Sequence, residues 1–107
     1  YPLPLFTCHI AMPTVIIKKS ILNNLNFHND LRFMEDTFFW YQLSKKTLLY
    51  GLNKKLSVIN SNINSSYLNK KKIIDARKQI KKKLYDDNYL IYCLFSLYLK
   101  IRNIINL

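Results

Sequence analysis

The chain is short of glycine, proline, cysteine and acids, and each shortage removes a class of function. One Gly and three Pro in 107 residues leave no material for a glycine-rich phosphate loop. Such a loop needs several positions without a side chain so that backbone N–H groups can close around an anion. The chain therefore carries neither a dinucleotide-binding fingerprint nor a P-loop. Cys8 and Cys93 stand alone, without a CxxC pair, so no metal-ligand set is read from the sequence and a reduced, cytoplasmic chain is expected. No apolar run approaches the roughly 20 residues that cross a bilayer. Tyr1-Pro2-Leu3-Pro4-Leu5 has no basic start and no long apolar core, so it is not a signal peptide. With Tyr rather than Met in first place, we expect further chain before it.

What is present is apolar and basic. Hydrophobic residues make up 50%, with 8 Tyr among the aromatics, too much for a disordered tail. The length fits one small domain or half of a larger one. Seventeen basic residues against six acidic give a net charge of +11, which calls for an anionic partner: nucleic acid, a membrane face or a phosphorylated ligand. Abundant Lys, Asn and Ile also fit an A- and T-rich genome as a source of part of the lysine. Only three of the basic residues are Arg, on which base-edge reading leans, and neither an RNP motif nor zinc-finger spacing is present. Nucleic acid is therefore an unlikely partner.

Along the chain, the β-branched run Thr14-Val15-Ile16-Ile17-Lys18 predicts a buried strand. A short helix is expected from Lys18 to Leu25 and a loop over Asn23-Asn24-Leu25-Asn26. Phe38, Phe39, Gln42 and Leu43 sit at helical spacing, predicting a helix over 35–46. Strands are expected over 47–52 and 56–59, then a polar loop over 60–66. From Asn69 the composition shifts. Lys70-Lys71-Lys72 opens a basic helix whose Ile73, Ala76, Ile80 and Leu84 form one apolar stripe. Asp86-Asp87-Asn88 marks a break. The run from Tyr89 to Leu99, closed by Lys100 and Arg102, suits a docked C-terminal helix, an interfacial membrane helix whose Tyr89, Tyr92 and Tyr98 rest at headgroup depth, or a helix that packs on a partner.

The feature that carries chemistry is Glu35-Asp36. In a chain with so few acids, two adjacent carboxylates repel each other and open an aromatic helix. Asp36 at a helix mouth can cap backbone N–H groups and gain from the positive helix end. An ionised carboxylate there can equally act as a general base toward a hydroxyl.

The order of a β-branched strand, the segment Asn26-Phe27-His28-Asn29-Asp30-Leu31-Arg32-Phe33, the E-D pair, an aromatic helix with Trp40, then Leu49-Tyr50-Gly51-Leu52 and Leu56-Ser57-Val58-Ile59 resembles the C-terminal half of family 2 glycosyltransferases of the bacterial non-processive kind. The match runs from about Pro13 to Lys70. The resemblance implies an α/β fold, the C-terminal part of a GT-A (nucleotide-diphospho-sugar transferase) fold. It implies an acceptor-side portion over 1–69 and a basic amphipathic helical tail over 70–107. Asp36 would deprotonate an acceptor hydroxyl that attacks a nucleotide-sugar with inversion, and Glu35 would position it. His9 and Thr14 would border the acceptor, and Trp40 would either border it too or pack behind the pair in the core. Members of the family often carry Tyr-Arg-x-His after the last strand; Ile59, Asn60 and Asn62 stand here instead, so phosphate contact would fall to Lys70 or its neighbours. The processive Q-x-x-R-W pattern is missing. No D-x-D occurs in the chain, so a divalent metal (Mg or Mn) would be held outside it, and the 107 residues alone are expected neither to bind a nucleotide-sugar well nor to transfer sugar. Implied partners are a nucleotide-sugar donor, a glycan or lipid-linked acceptor of cell-surface glycan biosynthesis and an anionic membrane surface, with the enzyme peripheral to the inner face of the bacterial membrane. The alternatives are a small basic non-enzymatic module at a membrane or on nucleic acid, or an inactive truncated product.

Overall fold

The computed structural model describes residues 2–7, 10–55, 58 and 70–104. Three α-helices organise them: α1 (Glu35–Lys46), α2 (Lys70–Asp87) and α3 (Tyr89–Ile104), preceded by single 3-10 turns at Leu3–Leu5, Met12–Thr14 and Lys19–Ile21. Among the described residues there is no strand.

The expected α/β, GT-A-type fold is overturned by this all-helical arrangement, and the reason is visible in the segment expected to form the first strand. Val15 has the extended dihedrals of a strand (φ −110°, ψ 136°), and Lys18 is also extended (φ −66°, ψ 123°). Val15 and Ile17 are half-buried while Ile16 between them is 98% exposed, the period-two alternation of β structure. The β-branched side chains thus impose the conformation. A strand also needs a neighbour to exchange N–H and C=O groups with, and the described residues form no such ladder. Thr47 is likewise extended (φ −152°, ψ 159°), but Leu48 to Leu52 run exposed to solvent. The third expected strand and the loop after it lie outside the described residues except for exposed Val58. The helix expected over 18–25 is reduced to the turn at Lys19–Ile21. Asn24 follows at φ 65°, a left-handed value that Asn tolerates.

Helix α1 is buried on two sides. Phe38 and Tyr41 join Leu5, Leu31, Ile80, Leu84, Ile91 and Phe95 in one core. Phe39, Trp40 and Leu43 join Leu25 in a second, covered by Val15, Ile17, Ile21 and Leu22. The uninterrupted aromatic run makes this possible, because consecutive residues on a helix point about 100° apart. Each fully buried side chain of this size contributes roughly 1.5–3 kcal/mol. The first core draws on both sides of residue 70, so the N-terminal turn, α1 and the basic helices share it.

Helix α2 buries the stripe read from the sequence: Ala76, Ile80 and Leu84 are buried and Ile73 is half-buried. The break before α3 falls at Asn88, whose side-chain oxygen accepts the Ile91 N–H at 3.1 Å, as an N-cap does. Beside it, Asp87 accepts the Tyr41 hydroxyl at 2.7 Å and the Lys45 ammonium at 2.7 and 2.8 Å. That carboxylate ties the end of α2 to α1. Partial burial raises the Asp87 pKa, but the hydrogen bonds from Lys45 and Tyr41 outweigh it and hold the group below its ordinary value.

Candidate functional site

The segment that delivers the acidic pair is anchored from several directions. Phe27 stacks on Phe39 with ring centres 4.4 Å apart, and His28 meets Phe38 edge-on at 5.1 Å. Lys83 of α2 pairs with Asp30 at 2.7 Å and holds its carboxyl below the usual range. The same ammonium lies 3.2 Å from His28 Nδ1. Because an ammonium can only donate, Nδ1 is the acceptor in that contact, and the Gln42 carboxamide nitrogen lies 3.2 Å from Nε2.

The chain then turns at Met34, which has φ 59° and ψ 23° and caps α1 without a side-chain hydrogen bond. A left-handed Met has none of the local hydrogen bonding that eases this conformation for Asn or Asp, and such backbone costs of order 1–3 kcal/mol. Immediately after it come Glu35 and Asp36, in the first turn of α1, with Lys45 and Lys46 in the last. Both ends complement the helix dipole, each charge contributing about 0.3–1 kcal/mol. Asp36 sits inside the first turn rather than at the N-cap. Its Oδ1 accepts the Thr37 N–H at 2.7 Å and faces the Thr37 hydroxyl at 3.4 Å, satisfying one of the free donors of the first turn.

Glu35 and Asp36 open onto a cleft of about 1100 Å³, just above the usual range for a small-molecule site. Its apolar walls come from Leu5 and Phe6, from Ile10 to Pro13, from Phe27, Phe33 and Met34, and from Ile73 of α2. Its charged walls are Glu35, Asp36 and three arginines: Arg32 before α1, Arg77 on α2 and Arg102 on α3. Loss of water lowers the Arg77 pKa first, and the nearby positive charge of Arg102 lowers it further. Arg102 also donates to the Tyr98 hydroxyl at 3.0 Å, which in turn donates to the Phe6 carbonyl at 2.9 Å.

Of the residues singled out from sequence, the structure brings only Glu35 and Asp36 together in the cleft wall. Thr14 is exposed at the end of its 3-10 turn, its hydroxyl donating to the Ala11 carbonyl at 2.7 Å; its neighbours Met12 and Pro13, not Thr14, line the cleft. Trp40 is 1% exposed in the second core, with its indole N–H buried and unpartnered. Lys70 begins α2 on the exposed side and is not part of the lining. His9 lies outside the described residues. The three arginines are what the sequence reading missed: their scarcity counted against nucleic acid, whereas a signal lay in where Arg77 falls, next to buried Ala76 on the flank of the apolar stripe.

The described residues contain no group of three or more His, Cys, Asp or Glu that could hold a metal ion, and no helix long and apolar enough to cross a membrane. No family model matches the chain, and no solved structure matches it. Over 91 residues it is 30% identical to a protein named "Uncharacterized glycosyltransferase" from Rickettsia bellii (strain RML369-C). That alignment covers 84% of this chain and 13% of the relative, so the chain spans about an eighth of the length of the protein it matches. This similarity relates the chain to a glycosyltransferase at the coarse level that the name gives.

Proposed function

We propose that this segment belongs to an enzyme that transfers a sugar from a nucleotide-sugar to an acceptor hydroxyl with inversion, in the manner of family 2 glycosyltransferases of cell-surface glycan biosynthesis. Asp36 is the general base and Glu35 positions it. The observation that carries the reading is the delivery of both carboxylates, by a strained turn at Met34, into the cleft. Dipole complementarity explains acids in the first turn of α1; it does not require them to open onto a large cleft. The Thr37 N–H holds Oδ1, leaving Oδ2 to take the acceptor proton as the hydroxyl oxygen attacks the anomeric carbon. The similarity to a protein named as a glycosyltransferase supports the reaction class.

Glu35 and Asp36 in the cleft wall are reserved here for the acceptor hydroxyl, and the described residues hold no group of three or more His, Cys, Asp or Glu for a divalent metal (Mg or Mn). The metal's ligands are assigned to the parent enzyme outside this segment, and no step here runs through it.

The segment works at an anionic membrane face on the cytoplasmic side. Leu90, Leu94, Leu97, Ile101 and Ile104 lie exposed along α3, spaced alternately four and three residues apart, which sets them on one side of the helix. Lysine-rich α2 lies beside it, and each lysine near an anionic surface contributes about 1 kcal/mol.

The test of the chemistry is Asp36→Asn in the full-length parent, assayed with nucleotide-sugar and acceptor. Loss of a general base lowers kcat by roughly 10²–10⁴-fold, with the donor KM little changed. A variant that turns over like the wild type removes Asp36 from the mechanism.

A further inference from the structure

The chain has three arginines, Arg32, Arg77 and Arg102, and all three border the same cleft although each comes from a different part of the fold. None of the lysines among the described residues lines it. The two basic residue types therefore sort by place: arginine in the cleft wall, lysine outside it. The distinction is chemical, since a guanidinium offers a planar fork that grips phosphate or carboxylate through two parallel hydrogen bonds, while an ammonium acts as a point charge.

Arg77 and Arg102 also stand near enough that the charge on one disfavours the charge on the other. Neither is fully exposed, so water screens this repulsion incompletely. Two guanidiniums drawn from different helices into one wall can both donate to one anion bound between them. The cleft they share is also lined by apolar side chains, Phe6, Met34 and Ile73 among them, and a drier wall strengthens a charge-assisted hydrogen bond.

We propose that Arg77 and Arg102, with Arg32 at the rim, form a binding subsite for the phosphate or diphosphate group of a ligand whose reacting hydroxyl or sugar lies toward Glu35 and Asp36. The anion chemistry stands on the cleft itself; the ligand's identity rests on the glycosyl-transfer reading, under which the diphosphate belongs either to the nucleotide donor or to a lipid-diphosphate acceptor. The same cleft wall thus carries both proton-accepting carboxylates and anion-holding guanidiniums.

Isothermal titration of the 107-residue chain with inorganic pyrophosphate tests the subsite. Saturable binding is expected, weakened tenfold or more by Arg77→Gln and less by Arg77→Lys, which keeps the charge and loses the fork. Lys78→Gln, one position along on the exposed surface, changes it less than twofold. Far-UV circular dichroism checks the helices, and if Arg77→Gln unfolds, Arg32→Gln on the exposed loop is expected to weaken binding in the same direction. Equal losses at Lys78 and Arg77, loss at none of the arginines, or no saturable binding overturns the subsite. Tighter binding of farnesyl diphosphate than of uridine diphosphate assigns it to the acceptor, and the reverse order to the donor. Asp36→Asn retains or strengthens pyrophosphate binding. Pyrophosphate binding by the chain, together with a parent enzyme that never transfers sugar, sinks the transferase reading while leaving the subsite standing.

Discussion

At the scale of single residues, the fold relies on a few polar contacts set among many apolar ones. Asp87 is the clearest, because one carboxylate receives Tyr41 and Lys45 of α1 just before Asn88 caps α3. Its folded pKa lies below the ordinary carboxylate value. The stabilisation it supplies is therefore present above the ordinary value and is lost as pH falls toward and through the folded one. Asp87→Asn should lower Tm at pH 7 and do so progressively less as the pH is taken from about 5 toward 3. Melting curves of both proteins across that range check this; a gap that stays constant with pH would mean that packing around Tyr41, not the charge, holds the contact. Trp40 is a residue whose fate was open in the sequence. An aromatic inside an amphipathic helix serves a core or a ligand equally well by spacing alone, and its burial with Phe39 and Leu43 is decided by Val15, Ile17, Ile21 and Leu22 folding over it. Those neighbours are twenty or so residues away, a distance over which periodicity carries no information.

At the scale of elements, legibility followed the range of the forces involved. The helix over 35–46 was readable because acids at its start, lysines at its end and apolar spacing between them all act within one helix, and it forms over those residues. Helix α2 was readable for the same reason: Ile73, Ala76, Ile80 and Leu84 define a face without reference to any partner. The segments over 14–18 and 47–52 failed as strands because a strand is a relation between two segments. Val15, Lys18 and Thr47 take extended dihedrals, but Thr14 closes a 3-10 turn and the pairing that would complete a strand does not form among the described residues. Helix α3 is intermediate. Its buried side, Ile91 and Phe95, answers to α2 and to the N-terminal turn, where Phe6 meets Phe95 and Tyr98 edge-on. Its outer side answers to nothing in the described chain. If that side rests on anionic membrane, replacing Leu94 and Leu97 by Gln should cut sedimentation with phosphatidylglycerol-containing vesicles at low salt by several-fold, while the helix content is unchanged because both side chains are exposed, at 46% and 55%. Equal sedimentation of the double variant, or no binding by the wild type, would discard the membrane role.

At the scale of the molecule, α1 is clamped between two cores, and the acids at its start are presented by a turn that the backbone would not choose for itself. Met34 is kept left-handed by what lies on either side: Leu31, 3% exposed, before it and Phe38, 2% exposed, after it, both in the core shared with α2 and α3. The turn is thus a latch under tension, opposed by the grip of that core and by the contacts that anchor the segment before it. A latch of this kind releases before the frame that carries it gives way. On warming, loosening around Leu31 and Phe38 should let Met34 relax and swing the carboxylates from the cleft while α1 is still helical. In the parent enzyme, catalysis would then fade several degrees below the loss of helical signal, and Met34→Gly, which removes the strain, would bring the two temperatures together. Coincident transitions in the wild type would mean that the turn and the helix let go as one.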